Sequence, residues 1–172
     1  LLRPGDDVPD ATFIDQDGRE LRLVDLRGRA VALTFIYTRC PIPTFCPTMD
    51  RHFATIQRAV AEDADLDGKV RLLSVSFDPT NDIPPVLKAH AEALGADPGT
   101  WSFLTGDRDD LDRFAARFGV QVTRDLDDPS TLSHNLRTAV IAPGGTLAAV
   151  HIGFDWTPTQ VLDELRSAAG RP

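Results

Sequence analysis

Residues 30–62 read AVALTFIYTRCPIPTFCPTMDRHFATIQRAVAE, and the change of pattern inside this stretch decides the fold. Residues 30–38 (AVALTFIYT) are apolar without alternation and rich in β-favouring side chains. A strand buried on both faces reads this way. From Pro47 to about Glu62 the apolar positions become Met49, Phe53, Ile56 and Val60, spaced by three and four. That is one face of a helix, with Pro47 suited to its first turn. A buried strand running into a crossover helix is the unit of a parallel α/β sheet.

The same alternation extends outward. Residues 70–77 (VRLLSVSF) predict a second buried strand, 85–94 a helix closed by Gly95, 101–104 a short strand, and 108–118 a helix closed by Gly119. Upstream, 11–14 and 21–24 flank Asp17-Gly18, a hairpin signal. Downstream, 138–142 and 146–152 are strands joined by Pro143-Gly144-Gly145. Residues 157–169 form a last helix, with Thr157 as N-cap before Pro158. The order predicts a three-layer α/β fold. A central mixed sheet is flanked by helices, with an N-terminal β-hairpin and an antiparallel pair at the far edge. Residues 1–172 read as a single domain, with 1–10 as a polar, Pro-rich entry arm.

A chain of 172 residues buries roughly 70% of its extended surface and needs no staple to fold. Its formal net charge of −8 excludes nucleic acid and anionic membrane surfaces as main partners, because phosphate binding needs an excess of Lys and Arg. Cationic partners and metal ions stay open. No run of about 20 apolar residues is present to span a bilayer. The start at Leu1 rather than Met is expected of a trimmed chain that has lost a signal peptide or anchor.

Cys40 and Cys46 are the only two cysteines. Both lie in the turn between the first buried strand and its helix, and each precedes a proline. As a disulfide they would close too short a loop to restrict the unfolded chain much. As core hydrophobes they would not need to share one turn. Chemistry explains them better. Ligands of α/β sheets collect at the carboxyl ends of the strands, where this turn lies. The N-terminus of the following helix, with Arg39 alongside, favours thiolate over thiol. A thiolate is a nucleophile, a reductant and a soft metal ligand. The spacing matches no zinc-knuckle or haem pattern, and zinc would need four ligands.

The four histidines divide by position. His52, one turn into the helix after Cys46, is expected on a solvated face. His90 is expected to face solvent, and His151 to be half-buried and structural. His134 lies in the polar loop DPSTLSHNLRT (128–138), ahead of a strand that can neighbour the cysteine turn. On position alone it is a candidate site residue.

Four stretches together, FIYTRCP…CP (35–47), LLSVSFDPTNDIPPVLKAHAE (72–92), WSFLTGD (101–107) and SHNLRTAVIAPGGTL (133–147), resemble the SCO/SenC copper proteins of cytochrome oxidase assembly, within the thioredoxin superfamily. The resemblance covers the chain from about Pro9 onward and implies a thioredoxin-like fold. It implies copper, as Cu(I) or Cu(II), held by Cys40, Cys46 and His134. It places Asp78, from the stretch Asp78-Pro79-x-x-Asp82, behind these ligands as a group that orients one of them or helps with protein transfer partners. It implies two partners, the copper-accepting subunit of a respiratory oxidase and a copper donor protein. The implied location is periplasmic or otherwise extracytoplasmic, with membrane attachment through an anchor outside this chain. The chain departs from the family in one respect: five residues separate its cysteines where the family usually has three.

Two thiolates and an imidazole suit copper by softness. The main alternative is a thiol–disulfide oxidoreductase using Cys40 and Cys46 as a redox pair. Ordinary thioredoxins place a cis-proline near the position that Arg137 occupies, which weakens this alternative as a general reductase. A peroxiredoxin would need a P-x-x-x-T-x-x-C stretch; Leu33 and Tyr37 stand where its Pro and Thr would be.

Overall fold

The computed structural model describes residues 1–128 and 131–170. Pro129 and Ser130 of the polar loop ahead of His134, and the last two residues of the chain, lie outside the described residues. The first hairpin pairs β1 (Thr12–Asp15) with β2 (Glu20–Arg22). β3 (Ala30–Ile36) leads to α1 (Cys46–Glu62), and β4 (Val70–Ser76) to α2 (Pro84–Ala93). β5 (Trp101–Thr105) precedes α3 (Arg108–Arg117). A small pair, β6 (Val122–Arg124) and β7 (Leu132–His134), follows. The chain ends with β8 (Arg137–Ile141), β9 (Leu147–Ile152) and α4 (Pro158–Ala169).

The main sheet runs β2-β1-β5-β4-β3-β8-β9. β3 and β4 are parallel over Ala30↔Val70 to Ile36↔Ser76, and β4 and β5 are also parallel. β1 and β8 join antiparallel at either side of this parallel centre. The result is a mixed sheet with helices on both faces, as the alternating pattern required.

Every residue of β3 is buried, which explains its unbroken apolar run. On one face, Phe35 packs on Phe114 and Phe118 at the end of α3. On the other, Phe53 of α1 meets Trp101 of β5 and Trp156 ahead of α4. Met49, Phe53, Ile56 and Val60 are all buried, so the periodicity of α1 is the face it packs. Each such side chain contributes about 2 kcal/mol by leaving water. α3 is capped by Asp107, whose carboxylate accepts from the Asp109 and Asp110 amides. α4 carries a reciprocal capping box between Thr157 and Gln160.

Three local features differ from the sequence expectation. The second strand of the first hairpin ends at Arg22, and Leu23–Leu26 is a 3₁₀ turn. Asp10 draws it away by accepting from the Val24 amide at 3.0 Å and the Arg22 guanidinium at 2.6 Å. β3 stops at Ile36, because the Thr38 amide turns to the Asp82 carboxylate at 2.9 Å. Within the stretch read as a polar loop, Leu132–His134 is a strand, β7, and it pairs with β6 just upstream, with Val122 opposite His134. Its strands have three residues each and no buried alternation, so nothing local marks them.

Candidate metal centre

The turn from β3 to α1 presents both sulfurs at the carboxyl end of the parallel strands. Cys40 is partly exposed and Cys46 is buried, and neither is in a disulfide. The turn has its own bonds. The Cys40 amide donates to the Tyr37 carbonyl at 3.3 Å, the Phe45 amide to Ile42 at 3.0 Å, and the Thr48 hydroxyl to Pro43 at 3.2 Å. Cys46 is the first residue of α1, one position earlier than expected, and Pro47 lies within the first turn.

His134 ends β7, in the separate two-stranded β6–β7 sheet, and its ring meets the turn at Phe45. Its Nδ1 lies 2.9 Å from the Asn135 carbonyl, an acceptor that puts the proton on Nδ1 and leaves the Nε2 lone pair free. That Nε2 is 3.7 Å from Cys46 Sγ. The ring sits among Phe77, Tyr37 and Phe45, with centroids 4.5, 5.5 and 5.9 Å away. The Cys40, Cys46 and His134 donor atoms all lie within 4.8 Å of one another. Small rotations of three side chains would bring them around one ion.

Two anchors that the sequence did not reveal hold the hairpin bearing His134. The Arg124 guanidinium donates to Asp112 at 2.7 and 3.0 Å, and to the Phe77 carbonyl at 2.6 Å. Asn135 donates to the Gly119 carbonyl at 2.9 Å and accepts from the Gln121 amide at 2.8 Å. Gly119 has φ +84°, a conformation open to glycine at little cost, so the helix stop read at this residue also shapes the base of the hairpin.

The two thiols differ in acidity. The neighbouring Cys46 thiol lowers the Cys40 thiol to about 5, against the opposing effect of burial. Cys46 is pushed up, first by the Cys40 sulfur beside it and then by burial. The helix N-terminus predicts thiolate character for both; the neighbouring Cys40 sulfur and burial outweigh the helix end at Cys46. Burial, and then the Cys40 sulfur beside it, push the Tyr37 phenol up as well.

Arg39 was expected to lend its charge to Cys40. Its guanidinium instead grips Asp78, with Nε 2.9 Å from one oxygen and Nη2 3.4 Å from the other. Asp78 is buried just past the end of β4 and touches the site through Arg39. The other histidines stand apart from the sulfurs. His52 is not solvated as expected: it is half-buried and packs edge-on against Trp156 at 4.6 Å. His90 also departs from expectation, lying 2.9 Å from the buried Asp50 and against Phe103. Neither difference is visible locally, because the covering groups come from distant elements. His151 is half-buried, 2.8 Å from Glu164.

The sequence pattern of the SCO1/SenC family matches residues 6–170. A SCO1 protein homolog of Bacillus subtilis (strain 168) is 30% identical over 166 residues, 95% of this chain and 83% of its own length. The structure of BsSco, a member of the Sco family of cytochrome c oxidase assembly proteins with a disulfide switch, is similar at a TM-score of 0.81. It is 28% identical, and the match covers 100% of this chain and 99% of that one. The copper-bound ScoI of Bradyrhizobium japonicum is similar at a TM-score of 0.74 with 25% identity, covering 96% and 99%.

Proposed function

The chain belongs to the SCO1/SenC family, and from that premise we propose that it is a copper-binding metallochaperone. It serves a respiratory cytochrome oxidase by loading copper or by reducing the copper-site cysteines from disulfide to thiols. Cys40, Cys46 and His134 are the ligands. The observation that carries the reading is the convergence of three donor atoms within 4.8 Å. They form a soft set that suits Cu(I) and can also hold Cu(II).

The chemistry follows from the unequal thiols. Cys40 offers a thiolate at neutral pH, so an arriving ion meets one charged ligand at once. Binding then displaces the proton that Cys46 retains. Three ligands with one partly exposed leave an edge from which an acceptor's ligand can enter, and the ion passes on by ligand exchange. The same cysteines support the thiol-reducing role. The Cys40 thiolate attacks a partner disulfide and forms a mixed disulfide. Cys46 then attacks Cys40 Sγ and releases the partner as a dithiol. Two electrons pass to the partner, and a Cys40–Cys46 disulfide remains. The lowered Cys40 thiol beside a buried second thiol favours this second role.

We place the protein on the extracytoplasmic face, where thiols cycle with disulfides. No described helix is long and apolar enough to cross a membrane. The partners are the copper-accepting oxidase subunit and a copper donor. Titrating the reduced protein with copper tests the reading. One equivalent should bind, with thiolate-to-copper charge transfer for Cu(II). His134→Ala should weaken binding and change the spectrum; an unchanged variant rules out the three-ligand set.

A further inference from the structure

A buried carboxylate lies beneath the point where the cysteine turn leaves the sheet. Asp82 has no exposed surface, and each of its oxygens accepts two hydrogen bonds. Oδ1 accepts from the Thr38 hydroxyl at 2.5 Å and the Asn81 amide at 2.8 Å. Oδ2 accepts from the Thr38 backbone amide at 2.9 Å and the Ser76 hydroxyl at 2.6 Å. The Ser76 hydroxyl also accepts from the Asp78 amide at 3.1 Å, which closes the turn after β4.

Burying a carboxylate is unfavourable unless every acceptor site is used, and here four donors use them. The sheet does not need this group. The β3–β4 ladder is complete through Ile36↔Ser76 without it. Its bonds begin where that ladder ends, and two of the four come from Thr38, two residues before Cys40. Four residues earlier in the same turn, Asp78 grips Arg39. Thr38 and Arg39, the last residues before Cys40, are therefore each held by a carboxylate of the β4–α2 turn. Cys46 needs no such device, because α1 fixes it. Cys40 has no element of its own and begins a turn two residues longer than the family's usual one.

We propose that Asp82 is the positioning residue for Cys40. Through Thr38 it holds the start of the turn so that Cys40 Sγ stays within reach of Cys46 Sγ and His134 Nε2. The proposal rests on the copper reading above and adds to it which group outside the ligand set determines the geometry. A charge-assisted acceptor is suited to this task, because its bonds to the amide and hydroxyl of one residue fix both position and orientation.

The test compares Asp82→Asn, Thr38→Val and, as a control, Ser74→Ala. The control removes a buried hydrogen bond to Trp101 in the same sheet, away from the turn. Copper binding is measured well below each variant's Tm, together with amide hydrogen exchange of the metal-free protein. Asp82→Asn should weaken copper binding by about tenfold or more, shift the Cu(II) charge-transfer band, and speed exchange over residues 38–46. Thr38→Val should do the same more weakly. Ser74→Ala should lower Tm with an unchanged band. An Asp82→Asn protein with the wild-type band, affinity and turn exchange overturns the proposal. If the wild-type protein binds no copper, the functional reading fails by itself, and exchange decides the clamp. Faster exchange confined to 38–46 supports it, and unchanged exchange overturns it.

Discussion

Cys40 and Cys46 lie side by side with unequal burial, so their acidities move apart: Cys40 falls to about 5 and Cys46 rises. Cys40 should therefore be alkylated first by iodoacetamide. Its rate should be flat at neutral pH and fall as the pH drops through about 5. Cys46→Ala removes the neighbouring thiol, and the midpoint should return towards the ordinary thiol value of about 8.5. Equal alkylation of both thiols in the wild-type protein would contradict this assignment. Both cysteines were legible as a functional pair, because two thiols in one turn at a strand end point to chemistry. Their inequality was not, because it depends on a contact between the sulfurs and on the burial of one. Asp82 was visible only as part of a motif; two of its four hydrogen bonds come from Thr38, 44 residues away, which it meets only after folding.

The β6–β7 pair carries His134, and Arg124 ties it to α3 and to the end of β4. Arg124→Met should destabilise the protein by about 1–3 kcal/mol by leaving the Phe77 carbonyl and Asp112 unsatisfied. Copper binding should weaken while alkylation of Cys40 stays the same, since the sulfurs are held elsewhere. Titration and alkylation of one preparation check both halves. Between α1 and α2, burial opposes the charge on His90, but the hydrogen bond and charge of Asp50 prevail and raise its pKa. A raised histidine stabilises fully below its unfolded value of about 6.5, and the contribution is lost as pH rises through the folded value. Wild-type Tm should thus fall relative to His90→Gln as the pH is raised from about 6 to 8. Parallel melting curves over that range would refute the pairing. The long elements were readable because their apolar positions repeat over many residues. The three-residue strands were not, since their stability comes from Arg124 and Asn135 bonding to distant partners.

For the molecule as a whole, copper that binds only the folded, reduced chain must stabilise it by mass action. A free concentration about a hundred times Kd contributes about 2.7 kcal/mol, or roughly 5–10 °C in Tm for a chain of this size. The shift should appear in the reduced protein and vanish when Cys40 and Cys46 are oxidised to a disulfide. A thermal scan of both forms with and without copper measures it, and an equal shift in the oxidised form would remove the thiolates from the ligand set.

By itself the sequence determined the strand–helix alternation, the parallel centre with its antiparallel edges, the residues of the core, and the cysteine turn as the place for chemistry. All of these follow from periodicity, turn residues and spacing, which are local along the chain. The tertiary structure alone decided how near His134 comes to the sulfurs, which thiol keeps its proton, and which carboxylates hold Thr38 and Arg39. His52 is six residues from Cys46 and packs on Trp156, whereas His134 is 88 residues away and lies 3.7 Å from the sulfur. Closeness in sequence says little about such contacts. They are made where the β6–β7 pair, the β4–α2 turn and the cysteine turn meet, and only the packing of the sheet brings them together.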